Sequence, residues 1–414
     1  MTEPPLHEWV VPFRELLNVQ KNYLKCSGIW IIDPKRSSFL QSAYLLYKGW
    51  MLSAMYIFAI TLFADIYDNV DNLSITTDDG CIFAGMLVVI FKAMNYQIRR
   101  NKIARFVSET LKCVDDLSKF SNAKYAKCIV EKYQVRNRVL FYGFTVLGCV
   151  LGVALLFCSP MENGLPIRAK YPFDTTKPFW HRIGLFIETC AVCGGLVAII
   201  AMDSITVLTS SIITMLLDIL NFNFENCSNR ASNDEDEIRT ELGCKVQPHA
   251  RRTNNIFLYR YKICLRFHQR LVFLSKEYNH IYSSSMFVQM LSSTSIICLT
   301  GFQAVVVGGQ SSDILKFGVY LSAAVSQLLY ICWIGNELSY SSSVLDRGQW
   351  LSDWHHEHLP DVVRLFTLST MFTRQSITLK AGVFYVLSLE TFIAIVRRSY
   401  SVYTLLNNMQ STNI

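Results

Sequence analysis

The sequence predicts an all-α membrane protein: seven transmembrane helices, N-terminus cytosolic, C-terminus extracellular, with helices extended into a cytosolic region. Three observations predict it. Hydrophobic residues make up 51% of the 414 and charged residues only 17%. The apolar residues fall in blocks close to the ~20 residues that cross a bilayer. Lys and Arg collect on one side of those blocks.

Residues 1–43 form the expected cytosolic N-terminal segment. The first 30 hold Pro4, Pro5, Pro12 and scattered charges, and lack the basic start, apolar core and cleavage site of a signal peptide. The first span is therefore expected to direct insertion. The seven spans are 44–63, 81–98, 139–157, 183–208, 286–307, 315–334 and 381–406. The loop after span 1 holds Asn72-Leu73-Ser74, a glycosylation acceptor on the outer side, whereas Asn226-Cys227-Ser228 is cytosolic and expected to be silent. The second outer loop, 159–182, is rich in Pro and aromatic residues and is expected to fold as a cap. Residues 221–245 carry the run NDEDE and read as a solvated loop. Phe257, Tyr261, Leu265, His268 and Val272 then recur at helical spacing, so span 5 is expected to begin well below the membrane.

Orientation follows from the basic residues, which favour cytosolic loops. Six lie at or before span 1, eleven between spans 2 and 3, ten between spans 4 and 5, and three before span 7. The opposite side holds Arg168, Lys170, Lys177, Arg182 and Lys316. Thirty against five places the N-terminus in the cytosol. The net charge of +7 is a consequence of this topology, and no basic face of a soluble domain invites a nucleic acid.

Charges inside the spans are costly and face protein or water. Arg397 and Arg398 interrupt span 7, which therefore reads as the lining of an aqueous path. Asp203 and Glu188 lie in span 4, Asp203 with a structural role. Lys92, in span 2, is expected to reach back to the cytosolic surface. The thirteen cysteines do not form a framework. Cys81 and Cys158 both lie near the outer surface, but sequence cannot set the distance a disulfide requires. Cys190 and Cys193 read as small core residues. His355, His356 and His358 lack a partner cluster, so no metal is expected, and neither a cofactor nor an enzyme activity is read.

Three segments then carry a resemblance. Leu165-Pro166 followed by Tyr171-Pro172-Phe173-Asp174 is similar to an LP…YPFD element. Gly335, Trp354 and Arg374 precede GVFYVLSLETF. Residues 399–406, SYSVYTLL, resemble a SYSxYTLL ending. In this order, over nearly the whole length, the chain resembles insect odorant receptors of the ligand-selective type. The resemblance implies a subunit of a ligand-gated cation channel, assembled as a heterotetramer with the olfactory co-receptor in the plasma membrane of sensory dendrites. Its partners would be that subunit, a small volatile ligand, membrane lipid and permeant cations. Residues 44–334 would form the ligand-binding bundle, 335–380 a cytosolic anchor, and 381–414 the pore-lining helix and tail. The co-receptor itself is longer between spans 4 and 5. Gustatory receptors end in a different pattern. A G-protein-coupled receptor needs the opposite orientation, and a secondary transporter would favour an internal repeat.

Depth selects the candidate pocket, in the outer halves of the spans: Phe83, Met86, Leu87, Ile90, Val153, Phe157, Ile187, Cys190, Phe317, Tyr320 and Ala324. It is apolar, with Tyr320 as a polar handle, and suits a small neutral ligand bound by burial. In the last helix Tyr403, Leu406 and Asn407 are the expected constriction, and Arg397 and Arg398 the deeper pore residues.

Overall fold

The structure, a computed structural model, describes residues 9–31, 37–157, 165–175, 177–228, 249–306, 311–356 and 360–412. The elements in chain order are α1 (Val11–Cys26), α2 (Ser38–Asp68), α3 (Leu73–Ile98), α4 (Arg100–Phe120), α5 (Ala123–Phe157), α6 (Pro178–Glu225), α7 (His249–Val306), α8 (Ser311–Ser343), α9 (Leu345–Trp350) and α10 (Pro360–Thr373), then β1 (Lys380–Ala381), β2 (Tyr385–Val386) and α11 (Leu389–Thr412). Among the described residues, α2, α3, α5, α6, α7 and α8 are long and apolar enough to cross a membrane. The seventh helix, α11, is less apolar because it carries Arg397 and Arg398. Its 24 residues still reach ~36 Å at 1.5 Å each.

α6 and α7 are the long members. With 48 and 58 residues they run ~72 and ~87 Å, far beyond a hydrocarbon core of ~30 Å. The helix expected to enter span 5 from below is thus one continuous element. α6 is the central post, buried almost throughout 201–220. Its polar residues are tolerated there because Thr206, Thr209 and Thr214 return their hydroxyls to the carbonyls of Met202, Ile205 and Ser210.

Three features differ from the sequence expectation. α6 runs on to Glu225 with Phe224 buried, into the stretch 221–245 read as a solvated loop. The N-terminal segment contains α1, whose Phe13, Leu16, Leu17, Gln20 and Leu24 share one face and pack inward, chiefly on α6. Pro12 sits in its first turn, where no amide partner is lost. The last helix also starts at Leu389, eight residues later than the apolar block. The intervening residues form an antiparallel hairpin in which Lys380 pairs with Val386. Gly382 turns it with a φ of 64°, a conformation L-residues resist. The Ser388 hydroxyl then accepts from the Thr391 amide at 3.2 Å and caps the new helix.

Candidate functional site

The outer loop folds onto the bundle as a cap. Leu165, Ile167 and Tyr171 are buried. Arg168 donates from Nε to Asp65 Oδ2 at 2.8 Å, and the Lys170 amide donates to the Thr61 carbonyl at 3.2 Å, so the loop is fastened to the outer end of α2. Tyr171 stacks on Phe173 with centroids 5.1 Å apart, and Phe173 on Trp180 at 4.9 Å. The Tyr171 hydroxyl donates to Glu188 Oε1 at 3.4 Å, which gives the fully buried Glu188 a partner. Burial and the adjacent carboxylate raise the Tyr171 pKa, so it remains a donor.

The structure sorts the candidate pocket residues. Met86, Ile187, Phe317 and Ala324 are buried, and Phe83, Ile90, Cys190 and Tyr320 are partly buried. α3 and α6 meet closely: a Cβ built at Gly195 would lie 3.7 Å from Met86 Sδ. α3 and α8 meet at Tyr320, whose hydroxyl donates to the Cys81 carbonyl at 2.9 Å and sits over Gly85. The Tyr320 hydroxyl, the expected polar handle, is therefore bonded to the α3 backbone. Leu87, Val153 and Phe157 point outward, 45%, 53% and 80% exposed, and the structure does not bring them to the cluster. Cys158 lies outside the described residues.

Asn72 is exposed and caps α3, with Oδ1 accepting from the Ile75 amide at 3.4 Å. Among the described residues no group of His, Cys, Asp and Glu could hold a metal; His358 lies outside them. In α11, Ile395 and Ser399 are buried on the side that packs against α7 and α8, whereas Ile393, Arg397, Arg398 and Ser401 are exposed. Tyr403, Leu406 and Asn407 lie on the helical backbone, but their side chains are outside the described set.

A membrane-depth cluster was missed by sequence reasoning. Lys92, expected at the cytosolic surface, is 1% exposed and ion-paired with Asp203 Oδ1. Gln327 Nε2 donates to the second oxygen, Asp203 Oδ2, at 2.5 Å. Three helices, α3, α6 and α8, thus meet at one carboxylate. The available signal was a lysine and an aspartate of opposite charge inside apolar blocks; nothing local to either one paired them.

Seven helices, a buried polar joint and a loop folded onto the bundle define a multi-pass helical membrane protein, with apolar side chains on α3, α6 and α8 as a candidate small-ligand site. A family model described as 7tm odorant receptor matches residues 76–400, and the chain belongs to that family. The family is one of receptors, not enzymes. Odorant receptor 13a of Drosophila melanogaster is 22% identical over 96% of this chain and 97% of its own length. Odorant receptor Or1 of Anopheles gambiae is 30% identical over 36% of each. The olfactory receptor OR5 of Machilis hrabei has the same fold, with a TM-score of 0.78 at 12% identity over 96% of this chain and 98% of that one. Its complex with eugenol superposes with a TM-score of 0.77 at 11% identity, over 97% of this chain and 99% of that one.

Proposed function

We propose that this chain is the odorant-binding subunit of a heteromeric ligand-gated cation channel, pairing with the olfactory co-receptor in the plasma membrane of sensory dendrites. A small neutral volatile binds under the cap, among Met86, Ile187, Phe317 and Ala324, and opens a pore along α11. The burial of these apolar side chains on α3, α6 and α8, beside a loop fastened to α2 and α6, is the observation that carries the ligand reading. Burial there rewards apolar surface at ~25 cal/mol per Å² and penalises an unpaired charge. The eugenol complex of the similar Machilis receptor supports a small organic ligand in this fold.

The one-sided packing of α11 supports the pore reading. An exposed apolar surface on the cytosolic elements supports assembly: Trp350, Leu351, Val363, Leu368, Met371 and Phe372 are between 47% and 69% exposed in the single chain. Patches of this kind mark contact with another protein.

The test is co-expression. The chain with the co-receptor should give odorant-evoked cation current, and the chain alone, at equal surface level, should not. Robust current from the chain alone would end the heteromer reading. A response confined to acids or amines in a panel screen would end the neutral-ligand reading.

A further inference from the structure

α8 passes three stations. At its outer end Tyr320 is tied to Cys81 of α3. Seven residues on, ~10 Å lower, Gln327 holds Asp203. Eight residues further, ~12 Å lower again, Gly335 lies against Leu387, just before α11 begins; a Cβ built there would sit 2.5 Å from the Leu387 Cβ and carbonyl oxygen. A single stiff helix therefore joins the candidate pocket to the root of the candidate pore helix.

The middle station is built unusually. Among the described ion pairs, Asp203 is matched by Lys92 of α3. Gln327 adds no charge. It contributes one hydrogen bond from a helix that must shift if a ligand between α3 and α8 is to be felt at α11. The Lys92–Asp203 pair can survive that shift; the bond from Gln327 cannot stretch far, because hydrogen bonds weaken steeply with distance and angle.

We propose that Gln327 is a positioning residue for gating: its bond to Asp203 holds α8 in the resting arrangement, and odorant opens the channel by drawing α8 off that bond. This rests on the odorant-gated reading above. A ligand shifts such an equilibrium only through its differential affinity for the two states, so a bond present in one state alone sets the starting ratio. A hydrogen bond to a charged group is strong enough to move that ratio about tenfold.

The test is Gln327→Met, which keeps length and volume and removes the donor, with Gln327→Ala read in parallel. Both are co-expressed with the co-receptor at surface levels matched by biotinylation. Basal current without odorant should rise, and the half-activating concentration should fall about tenfold. The factor should be the same for chemically unrelated agonists, which a lost ligand contact would not produce. A responsive wild type beside an unchanged Gln327→Met overturns the inference alone. Agonist-dependent shifts overturn it as well, in favour of a pocket contact, and failure of both variants to reach the surface makes the bond purely structural. A wild type silent to every odorant overturns the channel reading and the inference with it.

Discussion

Replacing Lys92 with Met removes the cation and leaves the Asp203 carboxylate inside the bundle with Gln327 as its remaining partner. The two side chains are 2% and 13% exposed, so solvent screens them little. Stranding one partner of a buried pair costs ~3–5 kcal/mol, and Asp203→Leu should cost a similar amount by stranding the ammonium. Removing both charges together is close to neutral in such pairs, because two desolvation penalties vanish with the attraction. The double variant Lys92→Met/Asp203→Leu should therefore stand within ~1–2 kcal/mol of the parent, far from the sum of the singles. Thermal unfolding of the purified chain in detergent, followed by size-exclusion fluorescence, measures this. The two single variants should melt well below the parent, and the double should recover most of the loss. A double variant that melts at the sum of the two single losses would show that the charges do not interact, and the joint of α3, α6 and α8 would lose its physical basis.

The remaining predictions test other links. Gly335→Ala drives a Cβ into the Leu387 backbone, which cannot give way like a flexible side chain. It should cost ~1–3 kcal/mol and displace the start of α11, read as lower melting temperature and altered odorant sensitivity; a fully parental melt and response would place the contact elsewhere. Single cysteines from Val402 to Asn407, exposed to an external water-soluble thiol reagent, should change current with a helical period. A maximum at 403 and 407 supports the expected constriction, a maximum at 404 aligns the pore with the exposed Arg397 and Ser401, and uniform insensitivity excludes α11 from the pore. Burial in α4 pushes the Cys113 thiol up to about 11, so it stays protonated below that pH and lacks the reactive thiolate. Exposed Cys26 and Cys128 should alkylate from the cytosolic side at pH 8 while Cys113 resists until the protein is unfolded, as mass spectrometry would show; rapid labelling of folded Cys113 at that pH would contradict the packing of α4.

The spans were legible because lipid imposes composition directly: apolar length is a local property. The cap was legible for a related reason, since Pro and aromatic residues in a loop need something to pack on, and Tyr171, Phe173 and Trp180 pack on one another. The hairpin was half legible. Gly382 and the capping Ser388 were present, but continuous hydropathy across 381–406 masked them. Lys92 and Asp203 were not legible as a pair, because they are 111 residues apart and no local period links them. The Tyr320 bond was not legible either, because its hydroxyl donates to the Cys81 carbonyl 239 residues away and no local period links the two.

The resemblance motifs also acquire physical content. Gly335 is where α8 admits Leu387, whose amide donates to the Leu379 carbonyl at 2.9 Å and fixes the chain entering α11. Trp354 stacks on Phe366 of α10 at 4.3 Å and closes the cytosolic turn. Tyr171 carries the cap to Glu188. Each marks a junction between elements, which explains why short, scattered motifs could stand for a whole fold.

The arginines of α11 join the two halves of the functional proposal. Arg397 and Arg398 are exposed on the single chain, and a charge facing lipid within a bilayer is costly. α7 and α8 cover the other side of the helix, so nothing within the described chain relieves that cost. Water along an axial path or a neighbouring subunit can relieve it, and a pore assembled from several chains supplies both. Pore lining and assembly then rest on the same physical ground: the cysteine series tests whether α11 faces the water path, and co-expression tests which chain is the neighbour.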